Sequence, residues 1–219
     1  MFEEFGQRSG LLVATRPLTG WSLGMYDFDN DGWKDLFFAL SHFPRLERYL
    51  GRAADLPNKV FRNVAGRRFE DVSAASGPSF QVPAQYHGAA FADFDNDGRV
   101  DVVVSALNGP ARLYRNTTEP RGHWVAFRLR GKRSNRDGLG AVLKATLPDG
   151  RVLYNHAETS VGYASSSERL VRFGLGAESM VSALEVRWPD GTVQTLTGVK
   201  ADRIVEIEET LSTPRVAAH

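Results

Sequence analysis

One nine-residue acidic string occurs twice in this chain and limits its fold more than any other feature. It reads Asp27-Phe-Asp29-Asn-Asp31-Gly32-Trp33-Lys-Asp35 and then Asp93-Phe-Asp95-Asn-Asp97-Gly98-Arg99-Val-Asp101, the copies starting 66 residues apart. Four carboxylates at positions 1, 3, 5 and 9 repel one another unless a cation sits among them. A hard, oxygen-seeking ion answers that repulsion, and Ca²⁺ fits because it accepts about six to eight oxygens in flexible geometry. Glycine at position 6 permits the sharp backbone turn such a loop needs. The main-chain carbonyl at position 7, from Trp33 or Arg99, adds another inward oxygen. A polar Asn/Asp/Gly hairpin turn without metal is the plain alternative, but a turn needs only one or two such residues.

The flanks exclude one familiar calcium loop. A helix–loop–helix site needs a bidentate Glu at position 12, and Phe38 and Val104 stand there. The following runs, Asp35-Leu-Phe-Phe-Ala-Leu and Asp101-Val-Val-Val-Ser-Ala, read as short buried strands. The loops therefore join β-strands. Asn58-Lys-Val-Phe-Arg-Asn63 is echoed by Ala111-Arg-Leu-Tyr-Arg-Asn116, and Phe2-Glu-Glu-Phe-Gly-Gln-Arg-Ser-Gly10 by Phe69-Glu-Asp-Val-Ser-Ala-Ala-Ser-Gly77. Each unit thus reads as strand, acidic loop, strand, connection, strand and a final strand near Phe69–Val72. Four antiparallel strands per unit describe a propeller blade. The second copy stops after its third strand, because the pattern changes beyond Asn116.

From His123 onward there are no acidic loops. Trp124–Arg130 alternates apolar and polar residues as a half-buried strand does. Leu147-Pro-Asp-Gly150 and Trp188-Pro-Asp-Gly191 are turns between strand-like runs, and Ser182–Trp188, Thr192–Leu196 and Arg203–Ile207 read as further antiparallel strands. The expected fold class is all-β, a partial β-propeller followed by an antiparallel β-sandwich or barrel-like domain. The expected domains are 1–118, holding one full blade and parts of two others, and 121–210, with 211–219 as a flexible tail.

Two resemblances attach to these residues. The Asp-x-Asp-x-Asp-Gly-x-x-Asp string with a following Arg-Asn resembles the FG-GAP repeat of integrin-α-type propellers over roughly residues 1–118. That resemblance implies two Ca²⁺ ions, one at Asp27, Asp29, Asp31, Trp33 and Asp35 and one at Asp93, Asp95, Asp97, Arg99 and Asp101. Ser134–Ala141, Gly162–Ser165, Phe173–Gly176 and Val186–Gly191 resemble, in order, the motifs of the ASPIC/UnbV domain. That domain commonly follows FG-GAP repeats in cartilage-acidic-protein-like and bacterial proteins, and no chemistry carries over with it. The pair implies an extracellular, periplasmic or cell-surface protein with a protein or glycan ligand.

The remaining residues narrow the function. A formal charge of +1 gives no steering toward nucleic acid or membranes, and no apolar run reaches spanning length. With no Cys there are no disulfides, thiolate metal sites or cysteine nucleophiles. Met1–Gly6 lacks the basic start and apolar core of a signal peptide. Ser165, Ser166 and Ser167 have no nucleophile-elbow sequence around them. Trp33 sits in an exposed loop and is a candidate contact for a ligand. Arg128 and Arg130, which share a strand face, and Arg136 are candidates for binding a polyanion. Arg136 beside Asp137 also fits a local clamp. Trp21, Tyr26, Phe37, Phe38, Phe91 and Phe94 are expected to fill the blade core. Asn116-Thr-Thr118 is a glycosylation sequon if the host glycosylates exported proteins. The expected function is a non-enzymatic adhesion or recognition module with structural Ca²⁺; alternatives are a polysaccharide-active enzyme or its accessory module, and an assembly domain that oligomerises through open blade edges.

Overall fold

The computed structural model describes residues 4–43, 49, 51, 53–119 and 122–210, so the expected tail at 211–219 lies outside the described residues. The chain divides by contacts into two units that interleave in sequence. The first comprises Met1–Phe28, Trp33–Thr118 and Ser160–Glu168, and the second Asp29–Gly32, Glu119–Thr159 and Arg169–His219.

The first unit is built on the repeat. Strands β1 (Gly20–Tyr26), β2 (Asp35–Leu40), β3 (Lys59–Val64) and β4 (Arg68–Asp71) form an antiparallel sheet in chain order. Strands β5 (Tyr86–Ala92), β6 (Asp101–Ala106) and β7 (Arg112–Tyr114) form a three-stranded one. The second blade thus ends after its third strand, where the repeat pattern stops. The echo of Phe69–Gly77 at the start of the chain reproduces a turn rather than a strand. Gly10 and Gly77 take φ of 82° and 92°, conformations open to glycine, and each precedes a short helical turn, α1 (Leu11–Thr15) or the 3₁₀ turn Pro78–Gln81. No strand forms among residues 4–10.

Both sheets contribute to one core, in which Phe37 and Ala39 of β2 meet Tyr86, Ala89 and Phe91 of β5 and Val102 and Val104 of β6. Phe37 and Phe91 are fully buried, and Tyr26 stacks on Phe91 with ring centroids 4.5 Å apart. The fit depends on Gly24, since a Cβ there would come within 2.1 Å of the Phe91 ring. Two expected core aromatics lie elsewhere. Phe94 is half exposed on its loop, and Trp21 is partly exposed and stacked on His87 at 3.9 Å. Residues 160–168 fasten to the same unit: Tyr163 N–H and Ala89 N–H both donate to Ser22 Oγ, and Phe91 N–H donates to Ser167 Oγ. Ser167 of the serine run thus braces β5.

The second unit is a two-sheet sandwich. Its strands are β8 (His123–Arg130), β9 (Val142–Thr146), β10 (Val152–His156), β11 (Val171–Gly176), β12 (Met180–Arg187), β13 (Val193–Lys200) and β14 (Arg203–Glu208). One sheet has the order β10-β9-β12-β13 and the other β11-β8-β14. Between them lie Val125, Phe127, Leu143, Phe173, Leu184, Trp188 and Ile207. The expected all-antiparallel arrangement is corrected at one pair, because β14 runs parallel to β8. The two-residue link after β13 carries the chain into the other sheet. Asp202, at φ 57°, donates its N–H to Trp124 O and accepts the Trp124 N–H on its carboxylate, seating β14 beside β8.

Candidate metal centres

The two acidic strings fold into loops of the same backbone form. In each, the position-4 asparagine (Asn30, Asn96) sits in the left-handed region at φ 59°, and the position-6 glycine (Gly32, Gly98) at φ 97° or 91°. Asparagine tolerates that conformation better than other side-chain-bearing residues, so its recurrence at position 4 is a signal the acidic pattern alone did not register. The turn this produces brings three carboxylates together in each copy: Asp27, Asp29 and Asp35, and Asp93, Asp95 and Asp101, with ligand oxygens all within 4.8 Å of one another. Position 5 lies outside both clusters. In the second loop Asp97 instead accepts hydrogen bonds from Arg99, through its backbone N–H at 2.9 Å and Nε at 3.1 Å.

Position 9 is the buried anchor. Asp35 and Asp101 are 3% and 2% exposed, which puts their ionised form in need of strong partners. In the first loop Asp35 accepts the N–H of Phe28 at 3.0 Å and of Asn63 at 2.7 Å. In the second, Asp101 accepts those of Phe94 at 2.9 Å and Asn116 at 2.7 Å. The asparagine after the third strand also donates its side-chain amide to the position-8 carbonyl, Asn63 to Lys34 and Asn116 to Val100. The repeated Arg-Asn pair thus explains itself: its Asn closes the loop from the third strand. Because Asn116 Nδ2 is also bonded to Phe28 O at 2.7 Å, the sequon nitrogen is already committed.

Burial raises the Asp101 carboxyl above its ordinary range; the two N–H donors oppose this, and the charges of Asp95 and Asp93 add to it. Burial would also raise Asp97, but the Arg99 hydrogen bonds and the Arg99 and Arg115 charges hold it below the usual range. Donor chemistry and spacing suit Ca²⁺. Oxygens bound to one ion at about 2.3–2.6 Å lie no more than about 5 Å apart, which the clusters satisfy.

The other candidate residues are distributed as follows. Trp33 is 40% exposed, and its ring lies over Gly66 in the β3–β4 turn, where a Cβ would approach it to 2.4 Å. Arg128 and Arg130 are both exposed on β8, and Arg130 pairs with Glu206 of β14. Arg136 clamps Asp137 at 2.9 Å. The basic stretch does hold an anion, from within the chain. The backbone N–H groups of Lys132, Arg133 and Ser134 all donate to Glu209 at 2.7–2.9 Å, with Ser134 Oγ at 2.8 Å. Burial alone would raise the Glu209 carboxyl, yet these donors outweigh it and hold it at about 2. Among the described residues no helix is long and apolar enough to cross a membrane.

Residues 27–104 match the family model described as FG-GAP-like repeat, and residues 131–214 the one described as ASPIC and UnbV. The chain is 29% identical to Cartilage acidic protein 1 of Xenopus tropicalis over 178 residues, covering 77% of this chain and 25% of the relative. Against the protein of the same name from Homo sapiens it is 24% identical over 200 residues, 86% of this chain and 29% of the relative. A shorter stretch of 59 residues is 44% identical to the Mus musculus protein, 26% of this chain and 9% of that one. The chain thus spans less than a third of the length of the curated relatives it matches.

Proposed function

We propose that this chain, which joins an FG-GAP-like repeat to an ASPIC and UnbV domain, is an extracellular, non-catalytic recognition module with Ca²⁺ in its two acidic loops. The observation that carries the reading is the recurrence of the same three-carboxylate cluster, at positions 1, 3 and 9, in two consecutive hairpins. Asp27, Asp29 and Asp35 hold one ion and Asp93, Asp95 and Asp101 the other. When bound, the metal supplies charge neutralisation within each hairpin. Position 9 keeps its backbone N–H partners throughout and serves as the loop's fixed point.

An ion that binds only the native state raises stability by RT ln(1 + [Ca²⁺]/Kd), about 2.7 kcal/mol at a hundredfold excess over Kd. Thermal melts in Ca²⁺ and in chelator test this directly. We expect a higher melting temperature with Ca²⁺, and a smaller rise in Asp29→Ala. Identical melting curves would remove the calcium from the proposal. The relatives' name, with its reference to cartilage, supports an extracellular setting. A glycan array and a hydrolase screen separate a recognition module from the polysaccharide-active alternative.

A further inference from the structure

The tip of the first loop, Asp29–Gly32, groups by contacts with the second unit. Three consecutive main-chain carbonyls of that tip are each bound by a donor within the second unit. Gly122 N–H donates to Asp29 O at 3.0 Å, Gly176 N–H to Asn30 O at 2.8 Å, and Arg151 Nη1 to Asp31 O at 3.0 Å. Arg151 is itself fixed at two further points. Its Nε donates to Asp149 Oδ2 at 2.6 Å and its Nη2 to Leu175 O at 2.8 Å. The guanidinium fork thus holds the loop tip with one arm and β11 with the other, an arrangement a single ammonium cannot copy.

The packing leaves little room for another arrangement. A Cβ on Gly122 would lie 2.2 Å from Asn30 O, and a Cβ on Gly32 would lie 2.6 Å from Arg151 Nη1. Asn30, at the left-handed position, is buried, whereas its counterpart Asn96 is exposed. The Asp29 carboxylate, borne on this same tip, offers an oxygen within 4.8 Å of those of Asp27 and Asp35.

We propose that Arg151 is a positioning residue for the first metal loop, holding its tip in the conformation that binds the ion and giving this loop a higher affinity than the second. The inference rests on the calcium reading above. The physical basis is preorganisation: a loop already fixed by neighbours loses less conformational freedom on binding, and groups that orient ligands from outside commonly change metal affinity about 10–100-fold.

The test uses the full chain carrying Asp95→Asn, which disables the second loop, and Tb³⁺ as a luminescent probe sensitised by Trp33 at position 7. Trp33→Phe identifies the signal as coming from the first loop. In this background Arg151→Met is expected to weaken Tb³⁺ binding about tenfold or more, and Arg151→Lys, which keeps one donor, to weaken it less. In the converse background, Asp29→Asn, calorimetric Ca²⁺ binding at the second loop is expected to be unaffected by Arg151→Met, which also shows that the variant is folded. If the parent shows no saturable luminescence and no Ca²⁺ shift in melting temperature, the calcium reading falls and this inference with it. If binding is saturable but Arg151→Met and Arg151→Lys stay within twofold of the parent, the Arg151 role alone is overturned. Equal weakening of both loops would likewise overturn it.

Discussion

The two acidic loops share their acidic spacing and a backbone form but not a setting, and one difference lies in what each arginine of the repeated Arg-Asn pair finds opposite it. In the first blade Arg62 faces Glu70 of β4, its register partner, and bonds it at 2.9 Å. Among the described residues the second sheet has no fourth strand. There Arg115, the equivalent residue, turns to the loop itself, with Nε 2.5 Å from Asp95 and Nη2 3.7 Å from Asp97. A strand missing from the sheet is thus felt at the acidic cluster beside it. Elements that seem only to complete a blade also decide which charges compete for its carboxylates.

The largest effect should test where the loops are equal. Asp35 and Asp101 hold the same two N–H groups at the same depth. Replacing either with Ala strands two donors, for an expected loss of about 2–4 kcal/mol each by urea denaturation. Costs that differ by more than about 1 kcal/mol would break the equivalence. Glu209 supplies a comparison of a different kind, a buried carboxylate held by three backbone amides and the Ser134 hydroxyl. Its folded value of about 2 lies below the unfolded 4.5, so it stabilises the fold above pH 4.5 and that contribution is lost as pH falls from 4.5 through about 2. The full contribution is about 3 kcal/mol. Glu209→Gln should be less stable at neutral pH and should flatten the acid limb over that window. An unchanged acid limb would show that the amide nest does not hold the charge.

These regions differ in how much of them could be read beforehand. Hairpin loops, blade strands and the Pro-Asp-Gly turns of the sandwich follow from local patterns, since alternation, acidic spacing and turn residues act over a few positions. The three-carboxylate clusters were legible for the same reason. The hydrogen bonds of Asp97 with Arg99 at position 7 were not, because spacing does not encode a side-chain pairing of that kind. Asn63 and Asn116 lie 28 and 15 residues from the carboxylates they cap, and only the closed sheet brings them there. The parallel β14 escaped notice because a two-residue link normally makes a hairpin, and nothing local shows that β13 and β14 belong to different sheets. Glu209 reads in sequence as one more acid in a terminal strand.

A smaller effect should separate the loops through Trp33. Its ring covers Gly66, which combines φ 70° with a close approach. Gly66→Ala introduces both backbone strain and a clash with the indole, for an expected loss of about 1–2 kcal/mol. Trp33→Ala made together with it should recover the steric part and leave the strain. A double variant no more stable than Gly66→Ala alone would place the whole cost in the backbone. The second loop, with Arg99 in place of Trp33 and no β3–β4 type turn beside it, offers no equivalent.

The smallest effect bears most directly on the missing strand. Arg115 is 62% exposed, so its pairing with Asp95 and Asp97 is worth no more than an ordinary surface ion pair, about 0.2–1 kcal/mol. An ion entering the second cluster must share or displace that partner at Asp95. Arg115→Ala should therefore tighten Ca²⁺ binding at the second loop by up to about fivefold in low salt, with the gain shrinking as salt screens the pair. Arg62→Ala, whose partner Glu70 sits on β4 and not in the loop, should leave the first loop's affinity unchanged. Calorimetric titration of both variants at two ionic strengths reads this out. Should Arg115→Ala weaken binding instead, its guanidinium orients Asp95 rather than competing for it, and the fourth strand's absence would favour the metal.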